Sequence, residues 1–217
     1  MRQNHQDIGT LLGHKPLHVV VAAALTTALA LSAVLGLVPS PAGAATAKER
    51  RVAKHTKVYV QGDSLTVGSG PGITRRLTPS VRRVAVDAQV SRPTSVGVAR
   101  TLSSAAARAS RVWVIALGTN DAPSPSYIRA QIKRTLNAGD RQVIWVTIVR
   151  PGGYAKVNRM MRQQARKRPR LHVVDWARAV QQNRSLIGGD GVHATSYGYE
   201  VRAALIAAEA RSLAQRG

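Results

Sequence analysis

A single serine on a predicted turn is the first residue that could carry chemistry. Gly62-Asp63-Ser64-Leu65 follows a short apolar run, and the turn presents Ser64 at the end of a predicted strand. A serine hydroxyl is a weak nucleophile, and it needs a general base within hydrogen-bonding distance. Ser64 is therefore a candidate nucleophile for acyl transfer only if the chain also supplies a base, a group that orients the base, and donors for an oxyanion.

His193 is the best candidate for the base. Of the three histidines beyond residue 47, His55 falls in a basic stretch and His172 falls within a predicted strand, where a packed or edge side chain is expected. Asp190 precedes His193 by three residues. A turn between them would let the carboxylate accept from one ring nitrogen while the other nitrogen faces Ser64, which fixes the tautomer and stabilises the imidazolium formed during attack.

Donors for an oxyanion are available on three segments. They are the backbone N–H of Ser64, a backbone N–H near Ser91 and the side-chain amide of Asn120. Losing one such donor typically costs about 10²–10³ in rate. The segments 62–64, 118–121 and 190–193 could each be an ordinary turn or helix cap, but their occurrence together, in this order, favours a site.

The elements predicted around these segments alternate between strand and helix. Strands are predicted at residues 58–61, 81–87, 112–117, 142–149 and 171–175, and helices at 94–109, 126–137, 154–167 and 195–214, with Ser126 and Thr195 as N-caps and a loop at 68–72. This alternation predicts an α/β fold with a parallel sheet and helices on both faces. Sites in such sheets form at the carboxyl ends of the strands, which is where the polar segments lie.

The composition excludes some functions and favours others. The absence of cysteine excludes a thiol nucleophile, a disulfide framework and a thiolate metal site. A net charge of +22 predicts attraction to polyanions such as acidic cell-wall polymers, although a merely solvated basic surface is an equal alternative. The basic residues are scattered and no nucleic-acid-binding motif accompanies them, so no specific nucleic-acid partner is expected.

Residues 1–47 show the three-part pattern of a secretory signal peptide. A long apolar core precedes prolines and two small-residue sites, Ala42-Gly43-Ala44 and Ala45-Thr46-Ala47. The core is also long enough to span a bilayer, so an uncleaved amino-terminal membrane anchor is the competing interpretation. Both interpretations place the folded part outside the cytoplasmic membrane. Residues 48–57 are then a mobile basic linker, and residues 58–217 are the catalytic domain.

Three segments together resemble a known family. Gly62-Asp63-Ser64-Leu65, Gly118-Thr119-Asn120-Asp121 and Asp190-Gly191-Val192-His193 are similar to the first, third and fifth signature blocks of the SGNH (GDSL) hydrolases. The resemblance covers residues 58–214 and implies a flavodoxin-like, three-layer α/β/α fold with a five-stranded parallel sheet. It also implies a nucleophile at Ser64, a base at His193 with Asp190 as its partner, an oxyanion donor at Asn120, and no metal or cofactor.

The second block departs from the family pattern. Where the family usually supplies a glycine N–H, this chain has Asp87-Ala88-Gln89-Val90-Ser91-Arg92. That variant, with Val174-Asp175-Trp176, is similar to SGNH domains found with membrane acyltransferases that acylate cell-surface glycans. The N–H of Ser91 could still form the oxyanion hole. Arg92 is equally a candidate for stabilising the oxyanion or binding an anionic substrate, and for an ordinary surface residue.

These features predict a secreted or surface-anchored serine esterase or acyltransferase. Its expected substrate is an O-acyl, in particular O-acetyl, group on a carbohydrate or cell-wall polymer, or a small ester. The alternative is a non-catalytic module that binds an acidic cell-wall polymer through its basic surface. A monomer is expected, with membrane contact only through the amino-terminal segment.

Overall fold

Five parallel strands form the centre of the structure, a computed structural model that describes residues 45–216. The strands are β1 (Lys57–Gly62), β2 (Arg83–Ala88), β3 (Val112–Ala116), β4 (Gln142–Val146) and β5 (Leu171–Val174). Their order in the sheet is β2-β1-β3-β4-β5, and every neighbouring pair is parallel. The predicted five-stranded parallel sheet is confirmed.

Helices connect the strands in the predicted alternation. They are α1 (Ala47–His55), α2 (Ser64–Leu77), α3 (Thr94–Ser103), α4 (Ala105–Arg108), α5 (Pro125–Leu136), α6 (Tyr154–Arg166), α7 (Trp176–Gln182) and α8 (Ser196–Gln215), with a short 3-10 helix at Arg184–Leu186.

Successive side chains of each central strand enter two different apolar clusters. In β1, Val58 and Val60 enter one cluster, and Tyr59 enters the other. The first cluster includes residues of α1, α2, α7 and α8, and the second includes residues of α3, α4, α5 and α6. Because side chains alternate across a strand, a sheet buried on both faces must be apolar at consecutive positions. The predicted three-layer α/β/α arrangement is confirmed.

The chain changes direction across the sheet between β1 and β3. It passes from β1 to β2 on one side, and then crosses to β3 on the other side of β1. In doubly wound sheets such a switch point leaves a crevice outside the carboxyl ends of the two strands. Gly62-Asp63-Ser64 follows β1 and Gly118-Thr119-Asn120 follows β3, so the topology alone brings these segments together.

Residues 68–72 are not the predicted loop, because they lie inside α2 with Pro71 in the helix interior. The glycines that suggested a loop allow α2 to approach α8 closely. A Cβ at Gly68 would lie 2.5 Å from the ring of Tyr199, and a Cβ at Gly72 would lie 2.9 Å from Cβ of Ala203. Tertiary packing has overridden the weak intrinsic helix propensity of this segment.

Helix α1 occupies most of the segment predicted as a basic linker at 48–57. Its N-cap Thr46 and Glu49 form a reciprocal capping box, Ala53 is buried, and the hydroxyl of Thr56 donates to the carbonyl of Ala214 at 3.4 Å. The segment is therefore attached to the domain. The predicted leader lies largely outside the described residues, and no helix within 45–216 has the length and apolarity that a membrane span requires.

Other boundaries differ from prediction by a few residues. The predicted helix at 94–109 is two helices, since Ser104 ends α3 and caps α4. The N-cap of α5 is Ser124 instead of Ser126, because Pro125 suits the first helical position. Thr195 caps α8 as predicted, whereas α7 was not predicted.

We expect Gly198→Ala to destabilise the fold, because a Cβ at Gly198 would lie 1.9 Å from the carbonyl oxygen of Leu186. That backbone oxygen also accepts from the N–H of Thr195, so it cannot move freely. The overpacking should cost about 1–3 kcal/mol, which outweighs the roughly 1 kcal/mol gained in helix propensity. Urea unfolding measures the change. Gly189→Ala is the control, since nothing lies within 4 Å of its Cβ; an equal loss there would show that the close approach is not the cause.

Candidate active site

The turn from β1 into α2 places Ser64 at the first position of the helix. Asp63 is the N-cap, and its Oδ1 accepts from the N–H of Leu65 at 3.1 Å. A Cβ at Gly62 would lie 2.0 Å from Oγ1 of Thr66, so the turn has room only for glycine. The first N–H groups of a helix lack intrahelical partners and carry a partial positive charge. The N–H of Ser64 is thus suited to donate to an oxyanion.

A chain of two hydrogen bonds joins Ser64, His193 and Asp190. Oγ of Ser64 lies 3.1 Å from Nε2 of His193, although the two residues are 129 positions apart. Nδ1 of His193 lies 2.7 Å from Oδ2 of Asp190. When the Nδ1 proton faces Asp190, Nε2 is free to accept the proton of Ser64. The structure brings together the three residues that the sequence singled out.

The loop before α8 fixes Asp190 through its own backbone. Oδ1 of Asp190 accepts from the N–H of Val192 and from the N–H of His193, each at 2.9 Å. The hydrogen bond from the His193 side chain, followed by these two backbone bonds, lowers the pKa of Asp190 to about 2. The carboxylate is therefore ionised throughout the neutral range, and its free oxygen stays directed at the imidazole.

Asn120 joins the loops after β1, β2 and β3. Its Nδ2 lies 3.3 Å from the carbonyl oxygen of Arg92 and 3.5 Å from Oδ2 of Asp63. The second contact is at the outer limit of a hydrogen bond. Asn120 is half-buried beside the residue that caps the nucleophile helix. This position suits the amide to an oxyanion at Ser64.

Ser91 adopts the backbone conformation that glycine prefers. Its φ is 58°, and within residues 45–216 it is the one non-glycine residue with a positive φ. This region of backbone conformation favours glycine, so a serine here is under some backbone strain. Ser91 is exposed, and its N–H stays a candidate oxyanion donor.

Arg92 is not a surface residue, because only 3% of its side chain is exposed. Its Nη2 pairs with Oδ1 of Asp87 at 2.8 Å, and its Nη1 donates to the carbonyl oxygens of Asp87 and Gly62. Burial raises the pKa of Asp87, but the hydrogen bonds from Arg92 and Arg100 bring it below its usual value. With its guanidinium engaged by protein groups, Arg92 holds the loop after β2 against the end of β1.

Two buried charged residues near the start of α2, Asp63 and Arg202, were missed as a unit by sequence reasoning. Burial raises the pKa of Asp63, while the positive charge of Arg202 opposes the rise. Arg202 is fully buried in α8, and burial lowers its pKa to about 10. Its Nη1 donates to Oγ of Ser69 at 2.6 Å and to the carbonyl of Leu65 at 3.2 Å.

Helical spacing could have indicated this residue. Arg202 lies four residues after Gly198 and four before Ile206, and both of these are buried on the same face of α8. A basic residue is rarely buried in this way, and its charge then needs an acidic residue or hydrogen-bond acceptors nearby.

Within residues 45–216, the other two histidines lie outside the site. His55 is exposed at the end of α1, and His172 in β5 contacts Oε1 of Gln142 at 2.8 Å through Nε2. Burial lowers the pKa of His172. Within the described part of the chain, no group of three or more histidine and acidic side chains could hold a metal ion.

No family model matches the chain. The O-acetyltransferase OatA of Staphylococcus aureus is 25% identical to it over 152 residues, which cover 68% of this chain and 24% of the relative. The chain thus spans about a quarter of the length of this curated relative.

Solved structures give the fold. The C-terminal catalytic domain of Streptococcus pneumoniae peptidoglycan O-acetyltransferase A aligns with a TM-score of 0.61 and 23% identity, covering 76% of this chain and 96% of that domain. A lipase/acylhydrolase from Enterococcus faecalis aligns with a TM-score of 0.62 and 20% identity, over 72% and 96% of the two chains. A GDSL-like lipase from Bacteroides thetaiotaomicron aligns with a TM-score of 0.59 and 16% identity, covering 77% of this chain and 90% of that chain. The resemblance indicated by the three sequence blocks is confirmed, and the chain has the α/β fold of the SGNH/GDSL hydrolases.

Proposed function

We propose that this protein is an extracytoplasmic serine esterase or acyltransferase that acts on O-acyl groups, in particular O-acetyl groups, of a carbohydrate or cell-wall substrate. The observation that carries the proposal is the hydrogen-bond chain Ser64–His193–Asp190, with distances of 3.1 and 2.7 Å. A nucleophile, a base and an orienting carboxylate in contact are the groups that activate a serine for acyl transfer in a Ser-His-Asp arrangement.

In the first half-reaction the ester acylates Ser64. His193 removes the hydroxyl proton as Oγ attacks the ester carbonyl, and Asp190 stabilises the imidazolium that forms. The oxyanion accepts from the N–H of Ser64, with Asn120 and the N–H of Ser91 as further donors. Collapse breaks the ester bond, and His193 gives its proton to the departing alcohol oxygen.

In the second half-reaction the acyl group leaves Ser64. His193 takes a proton from water or from a sugar hydroxyl, whose oxygen attacks the acyl carbonyl. The new oxyanion uses the same donors, and its collapse returns the proton to Oγ of Ser64. Water as the acceptor gives an acid, and a sugar hydroxyl gives an O-acyl sugar.

Three observations support an acylated glycan as the substrate. The relatives from Staphylococcus aureus and Streptococcus pneumoniae are named as an O-acetyltransferase and a peptidoglycan O-acetyltransferase. The side chains of His193 and Asp190 are 50% and 53% exposed, so a bulky polymer could reach the triad. The net charge of +22 favours an acidic polymer.

The proposed location follows from residues 1–47. Their signal-peptide pattern directs the domain across the cytoplasmic membrane, whether the segment is removed or kept as an anchor. An acylated cell-wall polymer would be accessible to the enzyme there.

We expect Ser64→Ala to abolish ester hydrolysis. The purified protein should release acetate from p-nitrophenyl acetate, and kcat should fall on the order of 10⁴-fold or more in the variant because the nucleophile is missing. A fluorophosphonate probe should label wild type at Ser64, as located by mass spectrometry, and should not label the variant. Ser196→Ala, an exposed serine at the start of α8, is the matched control. Unlabelled wild type that binds acidic polymer would instead favour the non-catalytic module.

Asn120→Ala should lower kcat by about 10²–10³ through loss of one oxyanion donor. The KM for p-nitrophenyl acetate should change little, because the donor acts mainly in the transition state. Asn137→Ala, at the exposed C-cap of α5, should leave both constants unchanged. A rise in KM with unchanged kcat would contradict the assigned role.

Asp190→Asn should reduce kcat by about 10⁴, because His193 would no longer be held in the productive tautomer. The pKa of Asp190 is depressed to about 2, so the ionised form stabilises the folded state. Any stability that Asp190 adds over asparagine should therefore be complete above about pH 4, and should be lost as the pH falls towards 2. Urea unfolding of both proteins between pH 7 and 3 checks this, and a stability difference that widens on acidification would contradict it.

A further inference from the structure

A second concave feature borders the catalytic loop. It is a cavity of about 410 Å³ between the segment after β4, the start of α6, and α7. Gly191, which separates Asp190 from Val192 and His193, lines it, and so do Arg150 and Arg184. The cavity therefore shares a wall with the triad but contains none of the triad residues.

The positive charges at this cavity are not neutralised by the protein. No acidic residue lines it, and neither Arg150 nor Arg184 is in an ion pair within residues 45–216. The acids that could reach this edge are engaged elsewhere, because Asp175 pairs with Arg162 at 2.6 Å and Asp190 pairs with His193.

The two arginines differ in how the fold holds them. Nη1 of Arg150 donates to the carbonyl of Thr119, so its guanidinium is held against the loop after β3. The guanidinium of Arg184 makes no hydrogen bond to another described residue and remains available to a ligand. Guanidinium groups bind carboxylates and phosphates through paired, charge-assisted hydrogen bonds.

Two polar side chains in the wall of the cavity are already satisfied. Oδ1 and Nδ2 of Asn158 bond to the N–H and C=O of Ile148, each at 2.8 Å, and the hydroxyl of Tyr154 donates to the carbonyl of Asp121. The two arginines are therefore the charged groups that would orient an anion here, and the amide of Gln181 is a further donor in the wall.

Sheet order sets the distance from the nucleophile. Ser64 follows β1 and Arg150 follows β4, which lies two strands away across β3. At about 4.8 Å per strand, the cavity is roughly 10 Å from Ser64 along the sheet edge. One polymer chain can span that distance.

We propose that this cavity binds an anionic group, a carboxylate or a phosphate, on the same polymer whose acyl group reacts at Ser64. The inference rests on the proposed function for the identity of the polymer, but binding itself does not need catalysis. Arg150 and Arg184 bind the anion at the opening of the cavity. The adjoining part of the polymer lies on the apolar wall of the cavity. The site selects acidic polymers over neutral ones.

Binding of three oligomers to the purified protein tests the proposal by isothermal titration calorimetry. They are oligogalacturonate, which carries carboxylates, an oligomer of glycerol phosphate, and a neutral cello-oligosaccharide. The protein should bind at least one acidic oligomer about tenfold or more tightly than the neutral one, and the tighter of the two acidic oligomers identifies the anion. Arg184→Gln and Arg150→Gln should each weaken that binding about fivefold or more. Arg129→Gln, an exposed arginine on α5 outside the cavity, should change it less than twofold.

Two outcomes overturn the proposal: no preference for either acidic oligomer, or an equal weakening in all three variants, which would indicate general surface attraction. Arg184→Gln removes no contact that the fold uses, so a misfolded Arg150→Gln would leave the test intact. Ser64→Ala should bind as wild type does. A protein that hydrolyses p-nitrophenyl acetate without binding anions would contradict this inference alone, and one that binds anions without hydrolysis would contradict only the proposed function.

Discussion

The close packing of α8 against α2 is the constraint on which the site depends. Ser64 begins α2, and His193 lies just before α8, so the contact between these helices sets the distance from nucleophile to base. Glycines in α2 let the helices approach, and a side chain at Gly68 would collide with Tyr199. A shift of about 1 Å between the helices would break the 3.1 Å contact of Ser64 with His193.

The same packing buries charge near the start of α2. Asp63 caps α2 and is removed from water, which raises its pKa, and Arg202 on α8 supplies the opposing charge. A buried carboxylate without a nearby cation would be costly, so the two helices are linked electrostatically as well as sterically. Asp190 contrasts with Asp63, because it is exposed and is kept ionised by hydrogen bonds. The two carboxylates therefore have different contacts: Asp63 caps the helix that begins at Ser64, and Asp190 contacts Nδ1 of His193.

The switch point of the sheet explains why the other loops meet at Ser64. Arg92 ties the loop after β2 to the end of β1, and Asn120 ties the loop after β3 to both. Each loop is thus held by contacts with its neighbours and not by a single residue. The basic cavity after β4 lies at the same edge of the sheet. The proposed polymer would therefore run along the carboxyl ends of the strands, from β1 past β3 to β4.

The sequence by itself determined the alternation of elements, the parallel sheet and the candidate residues Ser64, His193 and Asp190 that the fold brings into contact. Periodicity and short motifs are local properties, and the carboxyl ends of parallel strands necessarily share an edge. Sequence reasoning failed at two segments, at 68–72 because long-range contacts overrode local preference and at 48–57 because the local capping signal of Thr46 and Glu49 was overlooked. The glycine-rich segment at 68–72 became helix because α8 covers it, and the segment at 48–57 became helix α1 because its cap and its contact with α8 hold it. Only the tertiary structure decided that Arg92 is buried, that Ser91 takes a glycine-like conformation, and that Arg202 contacts the start of α2. The surroundings of Arg92 and the backbone of Ser91 depend on which atoms lie around each residue, and residue type and spacing do not contain that information. Spacing along α8 indicates that Arg202 is buried, but only the fold decides which groups it meets.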